Sequence, residues 1–285
     1  MIIIDKIVNK ISAWIGSVPG KKYPVYIPVL QSELLRGRVA VITGGTKGIG
    51  FGIAKAFMTA GANVAITGHN EEHLNVAVAK LKNTAPLNLD VRVTGHIIDN
   101  SDVLSFPTLL QRMVDQIGMF DILVNNAGLV GGNGIGFTSL ESYDSIMDTN
   151  LRGAYFLSQQ VANLWRENKV KGNILNICST SSLRPGTSPY IISKWGVRAL
   201  TVGLAKVLIK DGIVVNGIGP GPTATVAFTN GSDSISWAKN PSGRLVTIEE
   251  IGNMATILVS DLGKSIVGDI VYMGGGAGTV TFDDV

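Results

Sequence analysis

The chain has a single cysteine, Cys178, in 285 residues, so it can form no internal disulfide, and a reducing cytoplasm is the expected setting. Three dispersed histidines, His69, His73 and His96, leave no donor set for zinc, and no metal is expected. Charged residues make up only 16% of the chain, the net charge is +3, and no basic run exceeds Lys21-Lys22. That distribution argues against a nucleic-acid partner. No apolar stretch is long and unbroken enough to span a bilayer. Met1 to Ile15 comes nearest, but Asp5, Lys6 and Lys10 interrupt it. There is no internal repeat and no low-complexity tract.

What is present is apolar residues, 45% of the chain, which favours a packed globule over disorder. Strand-like runs near 38–43, 63–67, 90–95, 121–125, 173–178, 213–218 and 267–273 alternate with helix-like runs. This rhythm predicts an α/β fold, a doubly wound parallel sheet with helices on both faces. Two parts are expected: an N-terminal extension over 1–34 and one catalytic domain over 35–285. In the extension, Ile3, Ile4, Ile7, Ile11, Trp14 and Ile15 recur at helical spacing. They predict an amphipathic helix packing on the body or a sister subunit, with peripheral membrane contact as the alternative. Val18 to Leu30, with three prolines, reads as an extended connector.

Two local patterns carry chemistry. Arg38 to Thr43 reads as a buried strand, Gly44-Gly45-Thr46-Lys47-Gly48-Ile49-Gly50 follows directly, and Phe51 to Ala60 has a helical pattern. Strand, glycine turn and helix in that order suit a dinucleotide pyrophosphate, which the bare backbone and the helix N-terminus can both approach. Farther on, Tyr190 and Lys194 stand four apart in Pro189-Tyr190-Ile191-Ile192-Ser193-Lys194. One helix places both on one face, where an ammonium stabilises a phenolate and the phenol can pass a proton to a substrate oxygen. Either pattern alone is common on ordinary proteins.

Together with four others in register, they resemble the short-chain dehydrogenase/reductase family, in its compact single-domain branch that includes the 3-oxoacyl-carrier-protein reductases. Thr43-Gly44-x-x-x-Gly48-x-Gly50 matches the family's cofactor turn, and Asn125-Asn126-Ala127-Gly128 its fourth-strand end. Asn150 matches the helix asparagine, Asn176-Ile-Cys-Ser179 the strand carrying a serine, and Asn216 to Thr225 the loop at the nicotinamide end. The match runs from about Leu35 to about Thr279. The resemblance implies a Rossmann-type fold and a tetrad of Asn150, Ser179, Tyr190 and Lys194. Tyr190 is then the proton donor or acceptor, and Lys194 supports the phenol and the nicotinamide ribose. Ser179 binds the substrate oxygen, and Asn150 breaks regular helix bonding and holds a water linked to Lys194. Ser179 lies only eleven residues before Tyr190, shorter than the family pattern, and Ser181 is the alternative. The implied cofactor contacts are Gly44, Thr46, Lys47, Gly48, Ile49, Gly50, His69, Asn70, Asp99, Asn100, Asn126, Ala127, Gly128, Tyr190, Lys194, Pro220, Gly221, Thr223 and Thr225.

Cofactor choice turns on the end of the second strand. NAD-dependent relatives carry an acid there, but this chain has Gly68 followed by His69 and Asn70, and Lys47 stands in the turn. NADP is therefore expected over NAD. The substrate is expected to be a small carbonyl or alcohol compound, with a 3-oxoacyl-carrier reductase and a sugar or polyol dehydrogenase both open. A carrier protein would need a basic patch, for which Arg152, Lys169, Lys171 and Arg198 are the candidates. Ala227 to Ser242 is expected to be a substrate lid with Phe228, Ile235 and Trp237, and Gly131 to Gly136 a loop beside the site. A non-catalytic dinucleotide-sensing or scaffold protein on the same fold is the alternative, against which the intact tetrad argues. Long helices over Tyr143–Trp165 and Tyr190–Leu208, with Phe156, Val161, Leu164, Trp195, Val202 and Leu208 as surplus apolar residues, predict a homodimer or homotetramer.

Overall fold

In the computed structural model, residues 33–86, 89–229, 231–232 and 234–281 are described. The helix and connector expected before them lie outside these residues. The chain forms two compact units, 1–30 and 31–285, and the described residues all belong to the second. Leu35 is fully buried and its N–H bonds Ala60 O at 2.8 Å, so this segment belongs to the body.

Seven parallel strands form one sheet in the order β3-β2-β1-β4-β5-β6-β7. They are β1 Val39–Ile42, β2 Asn63–Gly68, β3 Val93–Ile97, β4 Ile122–Asn125, β5 Asn173–Ile177, β6 Val214–Pro220 and β7 Ile270–Met273. Between them run α1 Gly48–Thr59, α2 Glu71–Thr84, α3 Phe106–Ile117, α4 Leu140–Met147, α5 Gly153–Glu167, α6 Pro189–Leu208, α7 Val226–Thr229 and α8 Ile248–Val259. Strands buried on both faces need apolar residues at every position, which is why they read as continuous runs. Ile42, Ile66 and Val124 enter one core with Phe57, Leu81 and Ile251. Val41, Leu123 and Ile174 enter the other with Phe106, Leu157 and Trp165. Trp165 is fully buried because its Nε1 donates to Phe120 O at 2.8 Å.

The strand order reverses between β1 and β4, and such a switch point opens a crevice at the strands' C-terminal ends. The glycine turn, the Asn125–Gly128 segment, Ser179 and the segment after Pro220 all leave the sheet at that edge.

Two expectations are corrected. The third strand begins at Val93, not near 90, and reaches Ile97. The helix expected over Tyr143–Trp165 is interrupted: α4 ends at Met147, a π-helical turn occupies Asp148–Arg152, and α5 resumes at Gly153. Gly153 has no room for a side chain, because a Cβ there would run into the backbone and amide of Asn100.

Candidate active site

Tyr190 owes its place to the start of α6. Ser188 caps the helix, its Oγ accepting the Ile191 N–H at 3.3 Å, and Pro189 follows at the first helical position. Tyr190 therefore lies in the first turn, half-buried, and its hydroxyl has no hydrogen-bond partner among the described residues. Lys194, one turn deeper, is buried. Its Nζ donates to Ile177 O at 2.8 Å and sits 5.9 Å from the centre of the Tyr190 ring. A single acceptor leaves two ammonium hydrogens for other partners.

Ser179 stands two residues past the end of β5 and is buried. Its Oγ accepts the Ser181 N–H at 3.1 Å and caps the short turn Thr180–Leu183. The hydroxyl hydrogen stays free to donate to a substrate oxygen. Ser182 Oγ donates to Ser179 O at 2.7 Å and lies 3.3 Å from Tyr272 Oη, so Ser179 is held from behind as well. Cys178 points into the core, where burial raises its thiol pKa and the Lys194 charge offsets only part of the effect. It is packing, not a nucleophile.

Asn150 is buried within the π-helical turn and acts as a clamp. Its Oδ1 accepts the Leu129 N–H at 2.7 Å, and its Nδ2 donates to Leu129 O at 2.9 Å and to Ser193 Oγ at 3.0 Å. Ser193 Oγ in turn donates to Tyr190 O at 2.7 Å. Beneath them runs a buried polar chain. Asn125 Nδ2 donates to Ser158 Oγ and to Asn176 Oδ1, both at 2.8 Å, and Asn176 Nδ2 donates to Thr201 Oγ1 at 3.0 Å. This chain joins β4 and α5 to β5 and α6, which present Ser179, Tyr190 and Lys194. Ser158, Ser193 and Thr201 were missed by sequence reasoning. The available signal was a polar residue at a core-facing helical position.

The glycine turn is built to lie close to a ligand. A Cβ on Gly50 would strike Asn126 Nδ2 and Gly44 O, and Gly44 and Gly48 have φ of 63° and 55°. Lys47 makes no side-chain cap and the first turn of α1 holds no acid, so the positive helix end faces the crevice uncompensated. Thr43 Oγ1 accepts the N–H groups of Asn126 and Ala127, both at 3.0 Å, and Asn126 Nδ2 donates to Thr43 O and Gly44 O. Asn126 thus braces the cradle wall. A Cβ on Gly128 would come within 3.3 Å of Asn150 Oδ1 and 3.7 Å of Lys194 Nζ, which brings the wall against the tetrad. This bare cradle and free helix end fit a dinucleotide.

Lys47, His69, Asn70 and Asp99 are exposed around one end of the cradle. Asn70 Oδ1 caps α2 through the His73 N–H at 2.9 Å. Ser101 hydrogen bonds lower the Asp99 carboxyl pKa, with a further contribution from His69. Gly68 is closed over by Thr46, whose Cγ2 would lie 2.6 Å from an added Cβ. Asn100 Nδ2 donates to Thr149 O at 2.8 Å, which ties the end of β3 to the π-helical turn. At the other end, Pro220 closes β6, Gly221 packs on the Gly274 backbone, and Thr223 Oγ1 donates to Gly221 O at 2.8 Å. Thr225 Cγ2 would lie 3.5 Å from a Cβ on Gly48, so the segment after β6 passes beside the turn.

The basic patch considered for a carrier protein does not assemble. Lys169 and Lys171 precede β5 and so lie at the opposite edge of the sheet. Arg152 pairs with Asp148 at 3.7 Å, and Arg198 donates to Ser182 O at 3.0 Å and covers the Trp195 ring.

Just after Ala227–Ser242, Arg244 makes two hydrogen bonds to the Glu250 carboxylate at 2.9 and 2.6 Å, while Thr247 and Glu250 form a capping box on α8. These bonds, Arg244 first, hold the Glu250 pKa down to about 2. A depressed carboxyl pKa stabilises the fold above its ordinary value of 4.5, and the contribution fades as pH falls toward 2. Glu250→Gln is expected to lower the melting temperature at pH 7 by only about 1–3 °C, because the pair is exposed and screened. The gap from the native chain should close on acidification, which calorimetry across that range measures; a gap constant with pH would assign the loss to packing.

Residues 44–278 match the family model described as Enoyl-(Acyl carrier protein) reductase. The chain is 32% identical over 249 residues to a 3alpha-hydroxysteroid dehydrogenase of Mediterraneibacter gnavus, covering 86% of this chain and 98% of that one. It is 34% identical over 251 residues to a 3-oxoacyl-[acyl-carrier-protein] reductase of Chlamydia muridarum, covering 86% and 99%. Among solved structures, a short-chain type dehydrogenase/reductase from Mycobacterium marinum superposes with a TM-score of 0.77 at 28% identity, covering 85% of this chain and 96% of that one.

Proposed function

The chain belongs to the short-chain dehydrogenase/reductase family, and from that premise we propose that it interconverts a ketone and a secondary alcohol with NADP(H) as hydride carrier. One observation carries the reading: the Tyr190 hydroxyl, which has no hydrogen-bond partner among the described residues, stands at the crevice, with the Lys194 ammonium beside its ring and the Ser179 hydroxyl hydrogen unused among those residues.

Bound in the crevice, a nicotinamide supplies or receives the hydride. The cradle of Gly44, Thr46, Gly48, Ile49 and Gly50 would hold its pyrophosphate. Asp99 and Asn100 would serve the adenine end, and Asn126 to Gly128 with Pro220 to Thr225 the nicotinamide end. The chain's own residues manage the proton. In reduction Tyr190 donates its proton to the oxygen that gains negative charge; in oxidation it accepts one. Ser179 donates a hydrogen bond to the same oxygen. Lys194 stabilises the phenolate and retains hydrogens for ribose hydroxyls. Asn150 and Ser193 keep the Leu129 peptide and the first turn of α6 in register.

The preference for NADP rests on Lys47 and His69 at the cradle rim and on Gly68, where the strand end carries no acid. Lys47→Ala is expected to weaken NADPH by about 1 kcal/mol or somewhat more, since the contact is charge-assisted but exposed. NADH should scarcely respond. Fluorescence titration of both cofactors measures this, and an equal loss for both would make Lys47 a support of the turn.

The assembly proposed is a homodimer or homotetramer. Val161 and Leu208 prove to be buried in the core, but Tyr155, Phe156, Ile192, Trp195 and Val202 leave an apolar surface on α5 and α6. Light scattering at low micromolar concentration tests it.

A further inference from the structure

The segment between β4 and α4 has an unusual surface for a loop. Residues 128–140 include no charged side chain. Their three polar side chains are engaged locally: Thr138 Oγ1 donates to Asn133 O, Asn133 Nδ2 to Phe137 O at 3.5 Å, and Ser139 Oγ accepts the Ser142 N–H at 3.2 Å. Beside the exposed Asn133 and Ser139, most of what faces outward is apolar, with Val130 83%, Ile135 80%, Phe137 81% and Leu140 77% exposed.

This loop borders the reacting centre. Asn150 clamps Leu129, a Cβ on Gly132 would lie 2.9 Å from Pro189 Cδ, and one on Gly134 would lie 2.9 Å from Thr187 Oγ1. Pro189 immediately precedes Tyr190. Since β5 with Ser179 lies between β4 and β6, the loop after β4 and the lid after β6 flank Ser179 from opposite sides. The lid offers more apolar surface: Val226 is exposed, Ile235 partly so, and Phe228 meets Trp237 edge-on at 5.1 Å.

Three kinds of substrate place different demands on such a mouth. A polyol would find few partners for its hydroxyls here, Asn133 and Ser139 against four exposed apolar side chains, and each unpaired polar group costs binding. An acidic carrier protein requires basic residues, whereas Gly128 to Met147 contains no lysine, arginine or histidine and includes Glu141 and Asp144. An apolar body would instead cover Val130, Ile135 and Phe137 and gain by burying them. Building on the oxidoreductase reading, we infer that the substrate is a neutral, largely apolar ketone or secondary alcohol, alicyclic or long-chain, presented free and not on a carrier protein.

The test is NADPH oxidation with trans-1-decalone and 2-undecanone against 5-keto-D-gluconate and acetoacetyl-acyl carrier protein. The neutral ketones are expected to give kcat/KM at least about 100-fold above the other two. In the double variant Ile135→Ser, Phe137→Ser, KM for the better ketone should rise about tenfold while kcat falls less, with the melting temperature unchanged. Preference for the keto-acid or the carrier-borne substrate overturns the inference. So does a double variant that dissociates a wild-type oligomer in light scattering, because a second copy would then cover the loop. Turnover of none of the four with NADPH still bound also counts against it. If NADPH fails to bind, the same panel is run with NADH; if neither nicotinamide cofactor binds, the oxidoreductase reading itself is what fails.

Discussion

Tyr190→Phe is expected to lower kcat by about 10²- to 10⁴-fold, the range for losing a positioned general acid or base, while NADPH affinity changes little. The substitution removes one oxygen from a side chain whose hydroxyl makes no hydrogen bond among the described residues, so their fold and the cradle have no reason to respond. Ser179, Lys194 and the glycine turn remain in place. The measurement is steady-state NADPH oxidation alongside cofactor titration of the same variant. Near-native turnover would remove Tyr190 from the proton path and with it the proposed chemistry.

Lys194→Ala is expected to damage two functions together. Deleting the ammonium removes the charge beside the Tyr190 ring, for which a loss of at least about 10²-fold in kcat is expected. It also removes two available hydrogen-bond donors near the end of the cradle, so cofactor affinity should fall about tenfold, as for one charge-assisted contact. The same change leaves Ile177 O without its donor and opens a gap under α6. Lys194→Met refills most of that space without charge, and it separates the electrostatic loss from the packing loss. If the methionine variant recovers melting temperature but not turnover, the charge matters for chemistry. Cofactor affinity unchanged in both variants would eliminate the ribose role while leaving the phenol role standing.

Much of the site could be read before any coordinates. The glycine turn was legible because a strand, three glycines and a helix are neighbours in the chain. Tyr190 and Lys194 were legible because a four-residue interval on a helix is itself a spatial statement. The β3 boundary was less so: the run expected near 90–95 is shifted, because pairing with β2 begins at Val93 and keeps His96 and Ile97 extended beyond its expected end. The π-helical turn at Asp148–Arg152 was also hidden, because residues on both sides keep helical spacing. Leu164, Val161 and Leu208 looked surplus because a helical pattern reports an apolar face without saying how deep its neighbours bury it.

The alternation of strands and helices, the glycine turn between β1 and α1, the Tyr190–Lys194 pair and the acid-free end of β2 were therefore all written in the chain itself. Each of these is a relation between residues within about one element's length. Tertiary structure decided that Asn150 clamps the Leu129 peptide 21 residues away and meets Ser193 43 residues away. It also decided that Lys194 is anchored on Ile177 O, that Asn125, Asn176 and Thr201 join behind the site, and that an uncharged loop borders Tyr190. The physical reason is that local periodicity specifies which face a side chain occupies. Which face it meets depends on the order in which strands pair and on how closely the packed helices approach.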